Sequence, residues 1–234
     1  MSDFGWPLVR FILIRLLYTV LVLIGVTIAV FFLMQIVPGD PVKIALGTRY
    51  TPESYEALRS ASGLDKPLFT QLVNYLGNAA TGDLGVSFRN NEPVTHMLID
   101  RLPATIALAV AAILVALVIA IPFGTWAALR EGRTADNTIR VVSQFGISVP
   151  DFWMGILLIA LFSTYLGWLP SSGYRSPADG FVPWISHLVL PAITVGAVTG
   201  AIMTRYVRTA VLEVANAPYI TTAESKGLTR KRIL

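Results

Sequence analysis

Asp151 stands directly after Pro150 and directly before an uncharged apolar run, Phe152 to Leu169. Charge is costly in hydrocarbon, so an acid on a membrane-length helix is a functional candidate that could line a wet route and meet a cationic group. The alternative is a helix cap at an interface that water reaches. Gln35, Ser143 and Gln144 pose the same choice: polar groups in or beside apolar stretches could line that route or bond between helices. His96 and His187 have no partner histidine or carboxylate at ligand spacing, which argues against a metal site. Ser163, or Ser186 beside His187, is the nearest approach to a nucleophile and base, but adjacent residues on a helix point apart. The chain has no cysteine, hence no catalytic thiol and no disulfide. It has no glycine-rich phosphate loop with Lys-Ser/Thr, so it is not expected to bind ATP itself or to need a cofactor. Glu131 and Asp136 read as solvated charges of a short loop.

The elements that must position these residues are apolar. Hydrophobic residues make up 54% of the chain and charged ones 14%, with a mean hydropathy of +0.65, which points to a membrane protein before any motif is considered. The net charge of +4 does not signal nucleic acid, because the basic residues flank apolar runs instead of forming a stripe with aromatics. A helix needs about 20 apolar residues to cross the hydrocarbon layer. The pattern predicts an all-α polytopic bundle: an amino-terminal segment 1–10, a first span over 11–37, an outer segment over 38–101 and a second span over 102–129. A loop over 130–140, a third span over 141–169, a loop over 170–184, a fourth span over 185–210 and a polar segment over 211–234 follow. The first run ends in Phe31-Phe32-Leu33-Met34, not in a small-residue cleavage pattern, so it reads as a retained span and not a secretory signal. Alanines in the second span let a neighbouring helix approach closely. Pro150 predicts a kink where Val141 to Val149 joins the third span, and Pro191, Gly196 and Gly200 suit a packed, bendable fourth one.

Orientation follows from the basic residues. Arg10 and Arg15, then Arg130, Arg133 and Arg140, then Arg205, Arg208, Lys226, Arg230, Lys231 and Arg232 fall on one side if the spans alternate. That side is expected to be cytoplasmic, with the amino terminus on it. In the outer segment, Thr51-Pro52-Glu53 reads as a cap, a proline at the first helical position and a first-turn acid, with Gly63 as the stop. Asp65-Lys66-Pro67 opens a second amphipathic helix through Leu68, Leu72, Tyr75 and Leu76, closed by Gly82-Asp83-Leu84-Gly85.

Past the fourth span the spacing predicts a helix from Glu213 to Gly227 and a second short helix from Arg230 capped by Thr229. Gly227 supplies the positive φ of a helix stop, and Ala223 leaves room for a partner surface. On spacing alone an ordinary amphipathic connector is the favoured reading, because Ala-x-x-x-Gly is common. Tyr219-Ile220-Thr221-Thr222-Ala223-Glu224-Ser225-Lys226-Gly227-Leu228 resembles the cytoplasmic coupling loop of ABC importer permeases. Val37-Pro38-Gly39-Asp40-Pro41, Gly63-Leu64-Asp65-Lys66-Pro67-Leu68, Gly82-Asp83-Leu84-Gly85-Val86-Ser87, Arg101-Leu102-Pro103-Ala104-Thr105 and Ser148-Val149-Pro150 with Phe152-Trp153 resemble, in that order, the dipeptide/oligopeptide/nickel permease family, B-type subunit.

The resemblance implies a six-span fold, of which about four spans lie in this sequence, so that the chain is expected to be cut off within the coupling loop. It implies a multi-pass protein of the bacterial inner membrane, paired with a second permease subunit, driven by two cytoplasmic ATPase subunits and fed by an extracytoplasmic substrate-binding protein. Peptide is the substrate class implied first; nickel, glutathione or sugar are alternatives within the family, and a non-transporting receptor or scaffold is the rival outside it. By position Thr221, Thr222 and Ala223 take the Glu-Ala-Ala places of the family loop and Gly227 its glycine, with Ala223 and Gly227 alone matching the archetype. Gln35, Gln144 and Asp151 remain the candidates for the pathway.

Overall fold

The computed structural model describes residues 5–90 and 92–228, and the chain divides into two compact units, Met1–Arg101 and Leu102–Leu234. The described regular structure is helical, apart from one isolated bridge between Val86 and Pro93. Among the described residues three helices are long and apolar enough to cross a membrane, Leu8–Ile36, Val94–Leu129 and Phe181–Ala215; a bent pair supplies a fourth span if its arms are counted together.

The first unit starts with α1 (Gly5–Ile36), whose 32 residues rise about 48 Å, more than the hydrocarbon thickness requires. Its leucines, isoleucines and valines, Ile28 apart, are exposed, as suits side chains whose solvent is lipid. After Pro38, Asp40 caps α2 (Pro41–Leu46): its Oδ1 accepts from the amides of Val42 at 2.9 Å and Lys43 at 3.4 Å. The Tyr55 hydroxyl, on α3 (Pro52–Ala61), donates to Asp40 Oδ2 at 2.7 Å and so pins the two short helices together. Thr51 caps α3 in a reciprocal box with Ser54. α4 (Leu68–Ala80) follows Pro67, and Thr95 then ties the glycine turn back to the next helix by donating to Gly82 O at 2.7 Å.

That helix, α5 (Val94–Leu129), starts at Val94, not at Leu102, running through Pro103 and Pro122. The connection after it occupies only 130–133, because α6 (Thr134–Ser148) takes up most of the stretch expected to be a loop. The kink expected at Pro150 is a full break. Val149 and Pro150 are both extended, with ψ of 122° and 136°, and α6 meets the following arm at 95°. A proline disfavours helical geometry in the residue before it and lacks an amide of its own, so two consecutive residues leave the helix. The second arm is α7 (Asp151–Leu158), continuing as a π-helical segment over Ile159–Tyr165.

α8 (Phe181–Ala215) packs against α5, α6 and α7. Its approach to α5 is set by missing side chains. A Cβ on Gly196 would lie 2.7 Å from both Ala112 O and Val115 Cβ, one on Gly200 3.0 Å from Ile119 Cβ, and one on Gly124 of α5 2.8 Å from Thr204 O. Ala112, Ala116, Ala120, Ala127 and Ala128 are buried along the same seam. Without a hydrophobic force between helices in lipid, such close contact must supply the attraction through dispersion.

Candidate functional site

The polar segment beyond α8 forms a separate knob. One helix was expected from Glu213 to Gly227; the structure ends α8 at Ala215 and starts α9 (Pro218–Ser225) three residues on. Pro218 cannot donate into the preceding turn, and Asn216 and Ala217 close α8 by donating to Leu212 O at 3.0 Å and Val214 O at 3.1 Å. At the other end Gly227 has φ +79°, and the amide of Leu228 donates to Ala223 O at 3.2 Å. This six-to-one bond across a left-handed residue is the Schellman arrangement, which satisfies a carbonyl that the helix leaves orphaned. Ala223 and Gly227 are therefore joined in one stop. Tyr219 and Leu228 are exposed large apolar groups on it, and Thr222 donates to Pro218 O at 3.1 Å. Ser225 and Lys226 are exposed, and the backbones of Thr221 and Glu224 lie within α9. The helix expected from Arg230 with its Thr229 cap lies outside the described residues.

Upstream of the knob, one ion pair joins α8 to α6. Arg208 donates from Nε to Asp136 Oδ1 at 2.7 Å and from Nη2 to Oδ2 at 2.8 Å, and the Gly132 amide donates to Asp136 Oδ2 at 3.0 Å. Asp136 is 1% exposed, so reading it as a solvated loop charge is wrong; Glu131, 4.0 Å from Arg208, is the solvated neighbour. The two partners are 72 positions apart, and no local pattern announces the match. The usable signal was an aspartate in the first turn of a helix that starts earlier than hydropathy suggested.

The pathway candidates fall in different places. Gln35 lines an apolar cavity of about 580 Å³ in the first unit, with Val26, Phe31, Met34 and Phe88 among its walls. Gln144 lines a cavity of about 540 Å³ between α6 and α8. Asp151 is an exposed acid in the first turn of α7, favourable to the helix dipole, and it lines neither cavity. His96 does have a carboxylate neighbour, Asp100, at 3.1 Å and one turn on. Ser186 and His187 do not point apart: Ser186 Oγ and His187 Nδ1 are 3.4 Å from each other. Both, however, are directed at Pro183 O, at 2.9 and 2.6 Å, so the imidazole nitrogen facing the hydroxyl carries a proton and cannot act as its base.

Residues 120–234 match the family described as binding-protein-dependent transport system inner membrane component, and residues 8–109 match the amino-terminal region of such membrane components. The chain is 38% identical to the di/tripeptide transport system permease protein of Pseudomonas aeruginosa (strain UCBPP-PA14), over 90% of this chain and 69% of that one. It is 36% identical to the oligopeptide transport system permease protein of Bacillus subtilis (strain 168), over 96% and 72% of the two chains. With the dipeptide transport system permease protein of Escherichia coli (strain K12) the identity is 35%, over 97% and 74%.

Proposed function

The chain belongs to the family of binding-protein-dependent transport system inner membrane components, and from that premise we propose that it is the permease subunit of an ATP-driven peptide importer. The observation that carries the substrate class is that three relatives, each matched over at least 90% of this chain, are named for di-, tri- or oligopeptide transport. Its partners in this reading are a second permease, two cytoplasmic ATPase subunits and an extracytoplasmic binding protein, with the amino terminus in the cytoplasm as the basic residues favour.

No bond is made or broken by this subunit; its task is to convert a push into a change of access. The knob from Tyr219 to Leu228 suits that task because its Schellman stop makes α9 a short rigid body, while the break at Asn216 and Ala217 lets it move as one piece at the end of α8. Tyr219 and Leu228 offer apolar contact to an ATPase surface. The bidentate Asp136–Arg208 pair then couples displacement of α8 to α6, and the extended Val149-Pro150 joint lets the second arm turn independently.

Gly227→Pro tests the reading in the assembled transporter. Proline fixes φ near −65°, against the +79° seen here, and so removes the helix stop. The expected outcome is normal membrane insertion with uptake of a labelled dipeptide reduced at least about tenfold. Undiminished uptake would remove the knob from the mechanism. Uptake of nickel or glutathione but of no other peptide, by the wild-type transporter, would overturn the substrate class.

A further inference from the structure

The cavity between α6 and α8 combines features that neither the seam nor the knob requires. Its walls include Arg140 and Arg205, with the amides of Asn137 and Gln144 as neutral donors. Arg208 also lines it, but Asp136 neutralises that guanidinium. Among the described residues no carboxylate comes within ion-pair distance of Arg140 or Arg205, and the near neighbour of Arg205 is the Tyr206 ring, 5.8 Å away. Two cationic groups therefore face one cavity of about 540 Å³ with no carboxylate in ion-pair contact; Asp136, which Arg208 already holds, feels the charge of Arg140 only at longer range.

The same cavity also has apolar walls. Ile139, Val141 and Ile147 line it beside the hydroxyls of Ser143 and Thr204, and Val141 is 55% exposed, next to Val142 and Phe145 at 63% and 68%. The outer surface of α6 thus continues the cavity as an open hydrocarbon face. The uncharged run of α8 from Ile185 to Thr204 ends where Arg205 begins, which puts the guanidinium groups at the level where hydrocarbon gives way to water. A free anion would satisfy the arginines and leave the isoleucine and valine walls unused. An amphiphile with an anionic head uses both.

We propose that this cavity binds the phosphodiester headgroup of an anionic phospholipid, with Arg140 and Arg205 as its cationic ligands and an acyl chain laid along Val141 and Phe145. Basic recesses between membrane helices hold such headgroups by direct charge pairing in a low-dielectric setting. Occupancy would also bridge α6 to α8 beside the Asp136–Arg208 pair, making the stiffness of that joint dependent on lipid composition.

Native mass spectrometry of the assembled transporter, offered equal phosphatidylglycerol and phosphatidylcholine, tests this. Phosphatidylglycerol should be retained preferentially by about tenfold, and the preference should shrink as ionic strength rises. The Arg140→Gln/Arg205→Gln double variant should lose it, while Arg140→Lys/Arg205→Lys, which keeps both charges, should retain most of it. Equal retention of the two lipids, a preference indifferent to salt, or one unchanged in the glutamine variant overturns the proposal. So does displacement of the lipid by equimolar glycerol phosphate, which would make the cavity a site for a free phosphate ester.

Discussion

α8 is held by two neighbours through opposite chemistries. Against α5 the contact is built from absences: at Gly196 and Gly124 an added Cβ would collide with the neighbouring helix, and at Gly200 it would crowd Ile119. Against α6 one glycine also comes close, Gly146 with an added Cβ 3.0 Å from Ala201 Cβ, but what sets this contact apart is a charge pair that buries one partner almost completely. The first is a repeat of small residues along a helix and can be read from sequence; the second joins two positions that sequence gives no reason to connect. The difference also sets the failure mode. A seam of small residues fails by overfilling, and its cost grows with the volume added. A buried pair fails by subtraction, because removing either member strands the other.

The largest effect is therefore expected at the pair. Asp136→Ala leaves the Arg208 guanidinium, itself 19% exposed, without its carboxylate, and should destabilise the detergent-solubilised protein by about 3 kcal/mol. Replacing both, Asp136→Leu with Arg208→Leu, should recover most of that loss in the same thermal denaturation series, since no orphaned charge remains. A cost below about 1 kcal/mol for the single variant would show that the joint is held by apolar contact instead.

Next comes the seam. Gly196→Val places a branched side chain where even a Cβ is 2.7 Å from Ala112 O, and should cost about 2 kcal/mol. Gly155→Ala sharpens the point on the third neighbour: on α7 the added Cβ would sit 3.4 Å from Thr194 Cγ2, an ordinary contact. That variant should stay within about 0.5 kcal/mol of wild type, with the helical preference of alanine on the favourable side. Equal costs at Gly196 and Gly155 would mean that α5 is no closer to α8 than α7 is.

Sequence showed the apolar helices, the short helix capped by Thr51, the amphipathic helix opened after Pro67, and the glycine stop at Gly227, because each rests on local physics: hydropathy over one turn after another, a hydroxyl next to a proline, a backbone angle that glycine tolerates. The break at Val149-Pro150 was half legible. The proline was visible and the constraint on its predecessor is general, yet the 95° bend depends on what each arm packs against. The Asp136–Arg208 pair was hidden, since its partners meet only after α6 and α8 are side by side. The α8–α9 break at Asn216 was marked by Pro218 and missed, because the run from Glu213 onward keeps helical spacing across it.

The smallest effect belongs to the other aspartate that ties two helices together, and it isolates burial as the variable. Asp40 and Tyr55 are half-buried at the α2–α3 corner. The hydrogen bond from Tyr55 is the main cause that holds the Asp40 carboxyl below its usual range, against some desolvation, with the Lys43 and Val42 amides adding to it. The same bond raises the Tyr55 phenol. A carboxylate with a depressed folded value contributes stability above its unfolded value of about 3.9 and loses it as pH falls through the lower folded one. A phenol with a raised value contributes below about 10 and loses it as pH climbs through the higher folded one. Amide exchange at Val42 and Lys43 should thus be slower in wild type than in Tyr55→Phe at neutral pH, and the difference should begin to shrink as pH falls below about 3.9 or rises above about 10, vanishing past the lowered carboxyl value and the raised phenol value. A difference that persists unchanged at both extremes would mean that ring packing, not the shared proton, closes the corner. The contrast between the two aspartates would then rest on apolar contact at one of them.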